Sequence, residues 1–367
     1  MIPLFHHYPR LQNTIPRHPL GKFPTPIRKL EIIGDLFHIK NLSIKNDGLS
    51  GLIFGGNKVR KLEFLLGEAL RDKRSHCITF GCAGSNHALA TALYAGALNM
   101  ATTLLLLKQP NAHYVRKNLI RFFQAGASMH HYHTVEKMNA GFRYYRAKIK
   151  AHTGTEPFVI PAGGSSPAGT RGFVNAAFEL AQQVKAGKLP EPDLCYVAGG
   201  TMGTGVGLAI GFLACGLKTQ VVLCRVVNRR LLNTRKMHHL AVETAEILHR
   251  CDERFPRIEN PATLPLRIDH SVFGDRYALF TRESVAAMHA MKLQEGIICD
   301  GTYTGKTLAA LFHDARAGLL KNKTVLYWHT LNGREFSNPQ DKWYYRRLPV
   351  AFHRYFTSPV QPLDRDA

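Results

Sequence analysis

Residues 194–217 read LCYVAGGTMGTGVGLAIGFLACGL, and the parsing of this stretch decides the fold. It carries no charge over a length that would cross a bilayer as one helix. Its seven glycines argue otherwise. Five of them fall between Gly199 and Gly207, where they would leave a lipid-exposed helix weak and irregular at its start. A strand at Leu194 to Ala198, a glycine loop and a buried helix is the better parse, so no membrane span is expected. In such a loop backbone amides converge, the helix N-terminus adds partial positive charge, and Thr201 and Thr204 offer hydroxyls, all of which suit a phosphate. The same glycines also read as permission for a strand and a helix to pack closely, and the sequence leaves both readings open. A dinucleotide fingerprint is not present, because Leu208 and Ile210 stand where GxGxxG would want its third glycine. A Walker A loop is also missing, since Asp300 stands where GTYTGKT at 301–307 would need a preceding glycine.

Outward from this stretch, short apolar runs alternate with helical patterns. Cys77 to Phe80, Thr102 to Leu107, Val221 to Val227 and Thr324 to His329 read as strands; ALATALYAGALNM after GCAGSNH and His113 to Gln124 read as helices. Such alternation predicts α/β units with parallel strands, whose ligands sit at the carboxyl ends of the strands. Three loops that follow strands therefore matter: FGGNKVRK after Ile53, GCAGSNH after Phe80, and AGGTMGTGVG after Val197.

Lys58 begins an amphipathic helix, where a cation meets the positive end of the helix dipole. That placement lowers the cost of losing its proton, which a nucleophilic lysine must do. The plain alternative is a solvated basic face made of Lys58, Arg60 and Lys61. At 85–87, Ser85, Asn86 and His87 start another helix; Ser85 or Asn86 reads as an N-cap, or the Ser85 hydroxyl, the Asn86 amide and the free backbone N–H groups grip a small carboxylate.

The 367 residues hold 48 Lys and Arg against 26 Asp and Glu, a net charge of +22, with 45% hydrophobic residues. This is globular composition, and the length suits two domains. Seven cysteines without CxxC spacing argue against a disulfide framework or a zinc ribbon. The first residues, MIPLFHHYPR, lack the apolar run of a signal peptide, so a cytoplasmic protein is expected. HHYH at 130–133 has no metal-protease spacing, and packed or surface histidines are expected there. The charge, with the basic-aromatic run DKWYYRRLPVAFHRYF at 341–356, supports a rival reading as a polyanion- or nucleic-acid-binding protein, but no nucleic-acid motif accompanies it.

Taken together, GGNKVRKLEFLL, AGSNHA, PAGGSSPAGTRGF, GGTMGTGVGL, EGIICDGTYTGK and YWHT, in this order between about residues 25 and 333, resemble the pyridoxal-phosphate enzymes of the 1-aminocyclopropane-1-carboxylate deaminase and D-cysteine desulfhydrase family. The resemblance implies a two-domain α/β fold of the tryptophan synthase β-like type (fold type II), with open, twisted, mainly parallel sheets flanked by helices. Residues 1–64 and 169–367 would form the larger, cofactor-binding domain, with 65–168 a smaller inserted α/β domain. It further implies that Lys58 carries pyridoxal 5'-phosphate and moves the substrate's proton. Asn86 would bond the cofactor's ring oxygen. Gly200, Thr201, Met202, Gly203 and Thr204 would cradle the phosphate, and Thr330 would border the ring. Ser85 and His87 would meet the carboxylate of a small amino-acid substrate, with Tyr277, Tyr303 and Thr304 beside it, in a homodimer. Thr304 and Thr330 resemble the desulfhydrase branch, because the deaminase branch has Glu and Leu there. A threonine stabilises a protonated pyridine nitrogen less than a carboxylate does, which suffices for β-elimination of a thiolate.

Overall fold

The strand, loop and helix expected within 194–217 are present in the computed structural model, which describes residues 1–336 and 343–365. The strand is Leu194–Gly199 and the helix Gly203–Cys215, closed by Gly216 in the left-handed conformation. No helix among the described residues is long and apolar enough to cross a membrane.

In chain order the strands are β1 (Ile27–Lys29), β2 (Asn41–Asn46), β3 (His76–Cys82), β4 (Ala101–Leu107), β5 (Ser128–Tyr132), β6 (Phe158–Ile160), β7 (Leu194–Gly199), β8 (Gln220–Arg225), β9 (Leu266–Asp269) and β10 (Thr324–His329). They form two sheets, β1-β2-β10-β7-β8-β9 and β5-β4-β3-β6. Every pair is parallel except β1 with β2. Parallel strands are covered on both faces, which is why β8 and β10 read as continuous apolar runs: Val221 to Cys224 and Val325 to Trp328 are all buried. In β7, Leu194 pairs with Val325 of β10 and Gln220 of β8. The loops at 200–202 and 330–333 consequently leave neighbouring strands of one sheet at their carboxyl ends.

The glycines of the 203–215 helix divide by task. A Cβ on Gly207 would fall 2.5 Å from Phe173 Cβ and 2.6 Å from the Thr170 carbonyl oxygen; one on Gly211 would fall 2.4 Å from Ala177 Cβ. Both face the helix Pro167–Lys185. Here the glycines let two helix backbones approach closely. Gly207→Ala is accordingly expected to destabilise the protein by about 1–3 kcal/mol, read from the urea midpoint, because its methyl group meets backbone that cannot yield.

The chain divides into two compact units, residues 1–64 with 165–334 and residues 65–164 with 335–367. The C-terminal residues thus group with the second unit, where the resemblance had assigned them to the larger domain, and the inserted segment ends at Gly164 instead of residue 168. Asn111 Nδ2 and Arg116 Nε each donate to the Tyr355 carbonyl at 2.8 Å, and Tyr345 stacks on Phe356 at 4.9 Å. Arg346 lies over the Trp343 ring and Arg347 over Phe123. Asp341 and Lys342 of the basic-aromatic run lie outside the described residues; of the rest, Phe352 and Tyr355 are buried in their own unit, whereas Trp343, Arg346, Arg347 and Arg354 are exposed. Residues 335–367 also hold five Lys or Arg against four Asp or Glu, so the +22 is spread over the chain and not concentrated there. In the HHYH segment, His130 stacks on Tyr145 at 3.9 Å and His131 packs edge-on against Phe352.

Candidate active site

In the first unit the lysine loop is held by backbone. Gly56 (φ +88°) donates its N–H to the Asp47 carbonyl at 2.7 Å, and Asn57 N donates to the Thr330 carbonyl at 3.2 Å. A Cβ on Gly55 would overlap the Gly48 carbonyl oxygen at 1.8 Å, so this turn requires glycine. It delivers Lys58 as the first residue of the helix Lys58–Arg71. Burial lowers the Lys58 ammonium to about 8. Three residues on, along the same helix face, Lys61 is 1% exposed, and burial followed by the nearby Lys58 charge lowers its ammonium well below the usual value.

Lys61 leads directly to the glycine loop. Its Nζ donates to Ser165 Oγ at 3.0 Å; Ser165 Oγ lies 2.8 Å from Thr201 Oγ1 and accepts the Gly203 N–H at 3.2 Å. Met202 holds a left-handed backbone (φ +69°), an unfavourable conformation for a residue with a side chain and one that clusters at functional sites. A Cβ on Gly203 would meet Ser165 Oγ, Lys61 Nζ and Thr170 Oγ1 at 2.7, 2.9 and 3.1 Å. Thr170 Oγ1 is buried without a hydrogen-bond partner among the described residues. Asn57 Nδ2 donates to Thr204 Oγ1 at 3.0 Å and so joins the lysine loop to this one. The Lys61 amine and the Ser165 and Thr170 hydroxyls therefore surround one backbone position that carries no side chain.

Beside the loop, a Cβ on Gly200 would touch the Tyr303 ring at 3.4 Å. The Tyr303 and Tyr277 hydroxyls are 2.6 Å apart, their rings edge to face. Thr304 is buried, and its hydroxyl donates to Asp300 Oδ2 at 2.8 Å while accepting the Asp300 N–H at 2.7 Å. Thr330 follows β10 and is 9% exposed.

The second unit contains Ser85, Asn86 and His87. Ser85 is the N-cap of the helix Asn86–Ala97, accepting the Ala88 N–H. Asn86 Oδ1 accepts from Asn118 Nδ2 at 2.9 Å, which leaves the Asn86 NH2 as the donor end of its amide. His87 is 2% exposed, with Nε2 3.2 Å from Thr79 Oγ1. Because that hydroxyl donates to the Ile160 carbonyl, His87 Nε2–H is the donor in this pair and is not available to a carboxylate. Lys61, Ser165 and Asn118 are additions to the set legible in sequence. Spacing of three from Lys58 and the SS of PAGGSSPAG were signals for the first two; Asn118, inside an amphipathic helix, offered none.

Residues 19–330 match the family described as pyridoxal-phosphate dependent enzyme. The chain belongs to that family. A Pyrococcus furiosus protein provisionally named 1-aminocyclopropane-1-carboxylate deaminase is 33% identical over 335 residues, 88% of this chain and 94% of the relative. D-cysteine desulfhydrase of Yersinia enterocolitica is 30% identical over 329 residues, 86% of this chain and 95% of the relative. A crystal structure described as an ACC deaminase homologue aligns with a TM-score of 0.75 at 30% identity, covering 88% of this chain and 94% of that one. Threonine deaminase isoform 2 from Solanum lycopersicum, 14% identical with a TM-score of 0.59 over 91% of this chain and 85% of its own, shares the fold.

Pyridoxal phosphate fits the residues present. The position at Gly203, ringed by Lys61 Nζ, Ser165 Oγ and Thr170 Oγ1, the last without a hydrogen-bond partner among the described residues, suits an anionic phosphate, and the like-charged pair Lys58 and Lys61 gains from a nearby dianion. Gly203→Ala places a methyl group among these donors. It is expected to weaken pyridoxal-phosphate binding about tenfold or more in a cofactor titration, a loss of charged hydrogen bonds. The urea midpoint should fall less than for Gly207→Ala, since flexible side-chain ends and not backbone face Gly203.

Proposed function

We propose that this pyridoxal-phosphate-dependent enzyme is a lyase acting on a small amino acid by α-proton removal and β-elimination, in the manner of a D-cysteine desulfhydrase, releasing pyruvate, ammonia and sulfide. The observation that carries the choice of branch is residue 304. It is a neutral threonine where the deaminase branch has glutamate, and its hydroxyl donates to the Asp300 carboxylate.

Bound pyridoxal phosphate supplies an electron-withdrawing ring that acidifies the α-proton of an attached amino acid. Lys58 would carry the cofactor and, once released, accept that proton at Nζ; its ammonium, lowered to about 8, leaves a useful neutral fraction near neutral pH. Lys61, Ser165, Thr201, Thr204, the unpartnered Thr170 hydroxyl and the backbone of Gly200, Met202 and Gly203 would hold the phosphate. Asn86, oriented by Asn118, would donate its amide to the ring oxygen, and Thr330 would border the ring. Ser85 and the first N–H groups of its helix would receive the substrate carboxylate. The paired hydroxyls of Tyr277 and Tyr303 can pass a proton between them toward the leaving group. The same reading includes a homodimer in the cytoplasm.

A second reading, 1-aminocyclopropane-1-carboxylate deaminase, is favoured by the 33% identity to the Pyrococcus protein. One screen separates the two: pyruvate or 2-oxobutyrate release from D-cysteine, L-cysteine, D-serine and 1-aminocyclopropane-1-carboxylate. Pyruvate from D-cysteine is expected. Oxobutyrate from the cyclopropane, with no turnover of either cysteine, would overturn the choice.

A further inference from the structure

GTYTGK ends in Lys306, a fully buried lysine to which the reaction above assigns no task. Its Nζ donates to the Phe273 carbonyl at 2.6 Å and lies 5.7 Å from the centroid of the Phe273 ring. Arg225, the last residue of β8 and 6% exposed, places its guanidinium carbon 4.3 Å from the same centroid. Arg225 Nε donates to His270 Nδ1 at 2.8 Å and Nη1 to the Val227 carbonyl at 2.7 Å. Neither cation has a carboxylate at ion-pair distance among the described residues. Asp300 and Asp275 act on Lys306, and Asp269 on Arg225, only from beyond ion-pair distance, so what the two buried cations touch is informative: one aromatic ring, the His270 imidazole and the backbone carbonyls of Phe273 and Val227.

That loop leads to Tyr277. Phe273 is followed by Gly274 (φ +71°), and four residues after Phe273 stands Tyr277, with its hydroxyl on Tyr303. The next residue, Ala278, is buried and left-handed (φ +61°). Such a backbone persists only where its surroundings over-determine it. Beyond it, Phe280 is seated on Gly301, where a Cβ would lie 2.5 Å from the ring. The segment is thus gripped before Tyr277 by two cations on Phe273, and after it by Phe280.

We propose that Lys306 and Arg225 are positioning residues which clamp Phe273 and thereby hold the Tyr277 hydroxyl against that of Tyr303. This rests on the reading that the tyrosine pair serves the reaction, but it concerns the loop and is tested on the loop. The full-length enzyme loaded with pyridoxal phosphate is compared with Lys306→Met and Phe273→Leu by hydrogen exchange and mass spectrometry. Both variants are expected to exchange at least about tenfold faster over residues 270–280. Exchange in β8 and in the helix Gly203–Cys215 should be unchanged, and the visible absorption of bound cofactor retained. Phe273→Leu leaves both cations in place, so it decides the matter alone if Lys306→Met does not fold. Unchanged exchange at 270–280, or an equal rise throughout the first unit, would overturn the clamp. Retention of lysine-bound cofactor by Lys58→Ala would instead overturn the proposed function and leave the clamp standing.

Discussion

Lys58→Ala is expected to abolish the visible absorption band that pyridoxal phosphate acquires when a lysine binds it, and to reduce turnover by about a thousandfold or more. The magnitude follows from losing the covalent attachment point and the proton acceptor in one residue. Both roles need an amine that gives up its proton near neutral pH, and burial brings Lys58 to about 8. The fold should be retained, because removing a desolvated ammonium at the positive end of a helix relieves an unfavourable charge. Absorption spectra and circular dichroism on the same samples check both halves. An intact visible band in the variant would remove Lys58 from the site and leave Lys61, on the same helix face, to be tested in its place.

Arg60→Met should have the largest effect on stability, about 3–5 kcal/mol, because it strands buried carboxylates. Arg60 Nε donates to both Asp47 oxygens at 3.0 and 3.1 Å, Nη1 to Glu179 Oε2 at 2.8 Å and Nη2 to Thr25 Oγ1 at 2.9 Å. Lys45 Nζ reaches Glu179 at 2.7 Å, and Trp328 Nε1 donates to Asp47 at 2.9 Å. All of these side chains are nearly inaccessible to water. Burial alone would raise the Glu179 carboxyl, but Arg60 and Lys45 outweigh it and hold it at about 2 against a usual 4.5. A depressed folded-state value stabilises the protein above the unfolded value, so this contribution is present above about pH 4.5 and disappears as pH falls toward 2. Urea denaturation should show the loss in Arg60→Met at neutral pH and a smaller further loss on acidification than in the wild type. A variant within about 1 kcal/mol of wild type would contradict this account. The Asp47 carbonyl also takes the Gly56 N–H, so turnover should fall as well, through a displaced lysine loop.

Much of the architecture is legible from local pattern. Thr324 to His329 and His113 to Gln124 form the expected strand and helix to the residue. Runs of apolar, β-branched residues bounded by turn or polar residues announce buried parallel strands, and that pattern is repeated often enough to show the α/β class. The short strands β1, β6 and β9 were not legible, because three or four residues show no period and depend on their neighbours. Within the site, Tyr277 lies in none of the motifs that carry the resemblance, yet its hydroxyl meets Tyr303; the pairing depends on a loop gripped at Phe273 and Phe280, which leaves no spacing signal. His87 stands in a strong motif, but its imidazole turns to Thr79 in the core of its own unit.

The uncharged stretch at 194–217 shows where the division lies. Its sequence alone determined a strand, a glycine turn and a buried helix, since charge, period and turn chemistry are properties of neighbouring residues; the pyridoxal-phosphate class came from the resemblance that the motifs around it carry. What its glycines face depended on tertiary structure, and it differs by position: Gly203 faces Lys61, Ser165 and Thr170, whereas Gly207 and Gly211 face the backbone of another helix. The basic triplet at 58–61 divides in the same way. Lys58 and Lys61 share one face, while Arg60 turns to Asp47 and to Glu179, 119 residues away. Only the folded chain decides this, because the partners that neutralise a buried charge are distant in sequence and become neighbours when the sheet and its helices close around them.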